Sequence, residues 1–128
     1  MREWGVSKVN FAGGEPLLNK HLGAYLRHAK NIGLKTSMII NASKMTLSWL
    51  RAHAPYIDQV GVSCDSIDEE VNKRLGRGSG THVAITERAF RRLHDINAEL
   101  SLNIKLSALR EVGFDYGKYE QRGGVYAL

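Results

Sequence analysis

The sequence is poor in cysteine: Cys64 is the single one among 128 residues. One thiol excludes an internal disulfide and a zinc site built from cysteines, and it predicts a reducing compartment such as the cytoplasm. No run of about 18 apolar residues is present, so no transmembrane segment is expected. The opening residues MREWGVSKVNF also lack the basic-then-apolar order of a signal peptide.

The rest of the composition is that of a globular chain. Hydrophobic residues make up 43% and charged residues 24% of the sequence, which predicts a folded domain rather than disorder. The formal net charge of +5 favours anionic partners such as nucleotides. Basic residues are spread over helical segments such as ERAFRRLH, and aromatic residues do not alternate with them as in a single-strand-binding groove. We therefore expect no nucleic-acid partner.

Hydrophobic periodicity predicts alternating strands and helices. Short apolar runs predict strands, and Leu18, Leu22, Leu26 and Ala29 recur at the spacing of one helical face. The predicted strands are 6–12, 35–40, 59–64 and 100–107, and the predicted helices are 19–33, 46–54, 66–76 and 81–97.

This order, β-α-β-α-β-α-α-β, predicts an α/β fold with about four parallel strands and covering helices. The apolar runs in KTSMII and QVGVSC predict strands buried on both faces. Ser66 and Glu69 are spaced as a capping box at the start of the third helix. Because ligands bind beyond the carboxyl ends of parallel strands, the candidate site residues are those that follow each strand. They are Gly13-Gly14-Glu15, Asn41-Ala42-Ser43, Ser63-Cys64-Asp65-Ser66 and Lys105 to Ser107.

The segment Gly13-Gly14-Glu15-Pro16 is the most informative of these. Glycines let a ligand approach the backbone, and carbonyl oxygens with the Glu15 carboxylate offer hydrogen-bond acceptors. Acceptors suit a cationic amine, whereas a phosphate loop offers N–H donors and a lysine. An ordinary turn between strand and helix explains the same residues equally well.

Three longer segments resemble a known family. KVNFAGGEPLL, SCDSIDEEVNKRLGRG and the closing GFDYGKYEQRGGVY are similar to radical S-adenosylmethionine enzymes, and more narrowly to their viperin-like branch. The resemblance implies a partial (βα) radical-SAM-type barrel over residues 1–107 and a tail, 108–128, that resembles the family's C-terminus. The family reaction uses a 5′-deoxyadenosyl radical to dehydrate CTP to a didehydro nucleotide that terminates viral RNA chains.

The resemblance also implies roles for individual residues. The cofactor S-adenosylmethionine would be bound at its amino group by the Gly-Gly-Glu segment and elsewhere by residues at later strand ends. The nucleotide triphosphate would face residues of the first and fourth strands. The implied cofactor-binding residues are Gly13, Gly14, Glu15, Asn41, Ser63 and Arg77, and the implied nucleotide-binding residues are Lys8, Asn10 and Lys105.

The sequence departs from the family pattern in its cysteines. The family binds a 4Fe–4S cluster through a Cys-x3-Cys-x2-Cys loop ahead of Gly-Gly-Glu-Pro, but no cysteine precedes Gly13 here. Ala12 stands where the family commonly has serine, and the stretch between Ser107 and Gly113 is shorter than in the family. We therefore expect a truncated, internally deleted and catalytically inactive copy, without metal ligands. It would also lack the N-terminal helix by which relatives associate with the endoplasmic reticulum or lipid droplets.

Two alternatives to an enzyme stay open at this point. A non-catalytic module would still bind S-adenosylmethionine or a nucleotide without iron. An inert fragment would be marginally folded, because a four-stranded sheet leaves an open edge and an unfilled face.

Overall fold

A computed structural model of the chain describes residues 5–12, 15–41, 43–64, 68–76 and 80–109. Four strands alternate with four helices, and two single turns of 3-10 helix, Pro16–Leu18 and Ala54–Tyr56, lie before α1 and after α2. The strands are β1 (Lys8–Phe11), β2 (Lys35–Ile40), β3 (Gln59–Ser63) and β4 (Lys105–Leu109), and the helices are α1 (Leu22–Asn31), α2 (Leu47–His53), α3 (Glu69–Arg74) and α4 (His82–Leu100).

The four strands form one parallel sheet in the order β1-β2-β3-β4. The predicted element order and the α/β fold class are both confirmed. Because consecutive strands are neighbours and all run in the same direction, their carboxyl ends meet at one edge of the sheet. Within the described residues, no helix is both long enough and apolar enough to cross a membrane.

One side of the sheet, which we call the covered face, packs against helices. Its strand side chains are buried in a single core with apolar residues of α1, α2 and α4. The periodicity of α1 and α4 produces this contact, since their apolar positions recur along one helical face. The strand residues are Thr36, Met38, Ile40, Val60, Val62 and Leu106, and the largest helix residues are Leu22, Leu26, Leu50, Phe90, Leu93 and Ile96.

The opposite side, which we call the open face, is polar. The register pairs its residues in rows across the sheet, and side chains alternate between the faces along each strand. From the amino end to the carboxyl end, the rows are Lys8 and Lys35; then Asn10, Ser37, Gln59 and Lys105; then Ile39, Gly61 and Ser107; and then Ser63.

The prediction that the strands are buried on both sides is confirmed at the centre of the sheet, where Ser37, Gly61 and Ser107 on the open face are buried. The side chains of this face are nevertheless mostly polar and not apolar. QVGVS has a polar residue or glycine at every second position, and KTSMII has Lys35 and Ser37 followed by Ile39 on the same face, so the short apolar runs concealed this period of two. The described helices α1, α2 and α4 pack on the face that carries Met38, Ile40, Val60 and Val62.

Several element boundaries also differ from the predictions. β1 is shorter than 6–12, and β4 begins at Lys105 because α4 continues to Leu100. The sequence prediction begins this strand at Leu100, whereas Leu100 ends α4 and Leu102 packs on the core before the strand begins. β4 extends to Leu109, and the proposed division of the chain at residue 107 stays a prediction.

The predicted capping box at the third helix, formed by Ser66 and Glu69, is wrong because Glu69 does not cap this helix. The N-cap of α3 is Asp68, whose carboxylate accepts a hydrogen bond from the Glu70 backbone N–H at 2.9 Å. Ser66 lies outside the described residues. Glu69 is therefore available for a different contact, with α4, which is described below.

Candidate cofactor and nucleotide site

Glu15 joins the carboxyl ends of β1 and β2. Its side chain caps the turn Pro16–Leu18, and Oε1 accepts a hydrogen bond from the Leu17 backbone N–H at 3.3 Å. Oε2 accepts a second hydrogen bond from the backbone N–H of Asn41, just after β2, at 2.7 Å. A carboxylate has about four acceptor positions, so these two bonds orient Glu15 and leave acceptor capacity for a ligand.

The loop after β2 is held at both ends. Asn41 Oδ1 accepts hydrogen bonds from the Ser43 backbone N–H at 3.0 Å and from Ser43 Oγ at 2.8 Å. The Met45 carbonyl oxygen accepts a hydrogen bond from Arg92 Nη1, on α4, at 2.6 Å. The predicted cofactor residues Glu15 and Asn41 are therefore in direct contact, and Arg92 of α4 supports the loop that begins at Asn41.

A residue of α4, which packs on the covered face, binds the end of β3. The carbonyl oxygen of Ser63 is 2.5 Å from Nε2 of His82, the first residue of α4, whose side chain is buried. The Glu69 carboxylate accepts hydrogen bonds from the backbone N–H groups of His82 and Val83 at 3.0 and 2.5 Å. These N–H groups have no partner within a helix, so Glu69 caps α4 from α3. Ser63 itself lies in the last row of the open face.

Lysines occupy the amino-end rows of the open face. Lys8, Lys35 and Lys105 are exposed, and Lys8 Nζ donates a hydrogen bond to Gln59 Oε1 at 3.2 Å. All three line a depression of about 370 Å³. Lys105 was predicted among residues that follow a strand, but it begins β4. It shares its row with Asn10, two residues before Ser107, so it lies on the open face but away from the carboxyl edge.

A second depression, of about 290 Å³, occupies the middle of the open face. Asn10 and Ser37 contribute to it, and Ser37 Oγ donates a hydrogen bond to Asn10 Oδ1 at 2.7 Å. Gln59, Gly61 and Ser107 complete the part of its wall that β3 and β4 provide. Lys8 lines both depressions, so the polar surface is continuous from the lysines to the centre of the sheet.

An acidic residue fixes the amino end of the sheet. Asp58 accepts hydrogen bonds from Lys30 Nζ at 2.7 Å and from the Thr36 backbone N–H at 2.8 Å, and its carbonyl accepts one from the Lys105 backbone N–H. Partial burial raises the pKa of the Asp58 carboxyl, but the hydrogen bonds from Lys30 and Thr36 and the charge of Lys30 outweigh it. The pKa of Asp58 therefore lies below its usual value.

Some predicted residues lie outside the described part of the chain: Gly13, Gly14 and Arg77. Sequence analysis named Ser107 among the strand-end candidates but missed three residues of this region, namely Ser37, Gln59 and His82. The first two could have been found from the period-two polar positions in KTSMII and QVGVS. His82 had no comparable signal, because its contact with Ser63 joins residues 19 positions apart.

The described residues thus form a four-stranded parallel α/β sheet with a polar open face, and Glu15 and Asn41 are in contact at its carboxyl edge. Residues 1–106 match the family described as the Radical SAM superfamily, and the chain belongs to that superfamily. A domain of pyruvate-formate lyase-activating enzyme from Bacteroides vulgatus ATCC 8482 has a similar structure, with a TM-score of 0.56 and 16% sequence identity. That similarity covers 80% of this chain and 59% of the other, and it shows the fold alone.

Curated relatives are described as S-adenosylmethionine-dependent nucleotide dehydratases. The chain is 36% identical over 108 residues to one from Thermoplasmatales archaeon (strain ISO4-H5), covering 81% of this chain and 38% of the relative. It is 47% identical over 73 residues to one from Lacinutrix mariniflava, covering 57% and 15%. A relative from Oncorhynchus mykiss is 34% identical over 85 residues, covering 62% and 24%. The chain therefore spans less than half the length of each of these relatives.

The residues of this chain fit one implied cofactor and not the other. The carboxylate of Glu15, oriented by two backbone N–H groups, is suited to the ammonium group of S-adenosylmethionine. A 4Fe–4S cluster is held by cysteine thiolates, but the chain has one cysteine. Cys64 is 2% exposed and belongs to the core on the covered face. The ligand set for the cluster does not fit the residues of this chain.

Proposed function

We propose that this chain is the S-adenosylmethionine- and nucleotide-binding part of a viperin-like nucleotide dehydratase. The observation that carries the proposal is the open face, whose side chains between the lysine rows and the Glu15–Asn41 contact are mostly polar, with Ile39 as the exception. The descriptions of the relatives as nucleotide dehydratases support the same substrate class.

The two ligands are assigned to opposite ends of this face. The cofactor's amino group would bind at Glu15, with Asn41 and Ser63 beside it and with Gly13, Gly14 and Arg77 as further proposed contacts. The nucleotide would lie along the strands toward the amino end. Strands rise about 3.3 Å per residue, so β1 offers about 10 Å between Lys8 and Phe11.

Charge favours this direction for the nucleotide. A triphosphate is a strong anion, and lysines are point charges suited to bind phosphate oxygens. Lys8, Lys35 and Lys105 are exposed at one depression. They outnumber its single carboxylate, Asp58, which is paired with Lys30, whereas Glu15 would repel phosphate at the other end. CTP is the nucleotide that we propose, with Lys8, Asn10 and Lys105 among its contacts.

By itself, the 128-residue chain is proposed to bind both ligands without catalysing the dehydration. The cluster supplies the electron that cleaves S-adenosylmethionine, while the protein positions and orients the reactants. Because this chain does not carry the set of cysteines that would hold the cluster, we propose that its own residues bind and position the two ligands. Anaerobic reconstitution with iron and sulfide tests this limit, and a stoichiometric 4Fe–4S absorption spectrum from the chain would contradict it.

Isothermal titration calorimetry with S-adenosylmethionine tests the cofactor assignment. We expect the wild-type chain to bind and Glu15→Gln to weaken binding at least about tenfold, because a charge-assisted hydrogen bond contributes about 1.5–3 kcal/mol. Glu70→Gln is the matched control, because Glu70 is exposed on α3 and the substitution removes the same charge elsewhere in the chain.

Two results would contradict these assignments separately. Equal affinities of wild type and Glu15→Gln for S-adenosylmethionine would contradict the role of Glu15. If the wild type bound neither S-adenosylmethionine nor CTP at millimolar concentration, the binding function itself would be wrong.

A further inference from the structure

Ser107 is a buried hydroxyl without a partner. It lies in the third row of the open face and is 0% exposed, and its Oγ makes no hydrogen bond within the described part of the chain. A serine hydroxyl can donate one hydrogen bond and accept two. An unpaired buried polar group destabilises a protein because it loses its hydrogen bonds to water, so such a group calls for an explanation.

The neighbours of Ser107 on the open face do not supply a hydrogen-bond partner for its hydroxyl. Gly61, paired with it on β3, has no side chain, and Ile39, the next residue along the row, has no polar side-chain atom. The nearest polar pair on this face, Ser37 and Asn10, is bonded within itself at 2.7 Å. Ser107 nevertheless contributes to the wall of the central depression of about 290 Å³.

We propose that Ser107 Oγ binds a sugar hydroxyl of the bound nucleotide. This inference rests on the proposed nucleotide-binding function and assigns one more contact to it. A sugar hydroxyl both donates and accepts, as the serine does, so either polarity of the bond is satisfied.

The position of Ser107 agrees with the sugar rather than with the phosphates. Ser107 is two residues from Lys105 along β4, about 7 Å at the usual strand rise. It also lies one row before Ser63 at the carboxyl edge. The sugar joins the phosphates to the base, so it lies between the lysine rows and the cofactor end.

A ligand reaches Ser107 when side chains around the depression move. Lys8 is exposed and Gln59 half-buried, and the hydrogen bond between them is solvent-exposed. Such a bond is easily exchanged for a contact with a ligand, because water competes for both groups. Phosphates that bind Lys8 would thus draw it from Gln59 and open the centre of the face.

The inference makes two predictions for Ser107→Ala. CTP binding should weaken by about tenfold, the effect of one well-placed hydrogen bond. The thermal midpoint should stay the same or rise, because the hydroxyl makes no bond to the described protein. By contrast, Ser37→Ala should lower the midpoint, since it removes the bond to Asn10.

Calorimetry with CTP, 2′-deoxy-CTP and 3′-deoxy-CTP distinguishes the sugar from other parts of the nucleotide. One deoxy analogue should bind wild type and Ser107→Ala equally, because it lacks the partner of the serine. Ser48→Ala is the matched control, since Ser48 is exposed on α2, and it should leave all three affinities unchanged.

Each other result overturns the inference. If Ser107→Ala binds CTP as tightly as wild type, Ser107 is not a ligand contact, while the proposed function stands. If Ser107→Ala weakens all three nucleotides equally, the contact is with another part of the ligand and the sugar assignment is wrong. If the wild type binds none of the three, both the nucleotide function and this contact are wrong.

Discussion

Neighbouring residues of one strand lie in different surroundings on the two faces of the sheet. Val60 is 0% exposed among helix side chains, whereas Gln59, the residue before it, faces the open side and bonds to the exposed Lys8. The difference recurs in β2 and β4, where Met38 and Leu106 alternate with Ser37 and Ser107. Apolar burial stabilises the fold on one side, while the other side carries hydrogen-bonding groups that are exposed at Lys8, Lys35 and Lys105 and buried at Ser37 and Ser107.

The largest expected effect tests the covered face. Leu93 on α4 is 0% exposed in the core, and we expect Leu93→Ala to lower the free energy of unfolding by about 2–5 kcal/mol. Urea denaturation followed by circular dichroism measures this change. Leu75→Ala is the matched control, because Leu75 is 62% exposed and its loss should cost less than about 0.5 kcal/mol. Similar losses in the two variants would contradict a core confined to the covered face.

Much of this comparison could be predicted from local sequence, and part of it could not. Helical spacing correctly predicted Leu22, Leu26 and Ala29 on the buried face of α1, whereas Leu18, assigned to the same face, lies in the 3-10 turn before α1 and is 67% exposed. The parallel sheet followed from the alternation of elements. The polarity of the open face was missed because strands of five or six residues show only two or three polar positions each. In the site, Glu15 and Asn41 were selected by their positions after strands, a rule of topology.

Contacts between distant residues could not be predicted in this way. Glu69 was expected to belong to its own helix, but its carboxylate binds the first N–H groups of α4, 13 and 14 residues later. Cap preferences describe residues within one turn, and they carry no information on which neighbouring helix a side chain reaches. The same applies to Arg92, which supports the loop after β2 from 47 residues away.

An intermediate effect on stability is expected for substitutions of His82, because its hydrogen bond connects α4 to a residue of the open face. The carbonyl of Ser63 is bound by His82 from the covered side, while Ser63 itself belongs to the open face. His82→Leu removes this bond and leaves the carbonyl unpaired, so unfolding should become easier by about 1–2 kcal/mol. We also expect weaker S-adenosylmethionine binding, since the end of β3 loses its support.

Glutamine at this position separates the hydrogen bond from packing. The amide nitrogen of His82→Gln can donate to the Ser63 carbonyl, so this variant should recover both stability and affinity relative to His82→Leu. Equal values for the two variants, measured by denaturation and calorimetry, would show that His82 acts by filling space. In that case the covered side would not position Ser63 through this bond.

The smallest expected effect concerns Asp58, at the amino end of the sheet. Its pKa is lower in the folded chain than in the unfolded chain, so folding favours the ionised carboxylate. The resulting stabilisation is complete above the usual aspartate pKa of about 3.9 and is lost as the pH falls through the lower folded pKa. Because the side chains of Lys30 and Asp58 are 33% and 36% exposed, solvent screening limits the effect to about 1 kcal/mol or less.

Denaturation at a series of pH values, with Asp58→Asn as the comparison, isolates this contribution. At pH 7 the wild type should be slightly more stable, and the difference should shrink below about pH 4 as the wild-type carboxylate is protonated. The asparagine can still accept the Thr36 backbone bond, so the lost part is the charge facing Lys30. A difference that is independent of pH would show that Asp58 acts through hydrogen bonds alone. The charged groups of the open face, in contrast, should contribute little to stability at any pH, because Lys8, Lys35 and Lys105 are exposed to water.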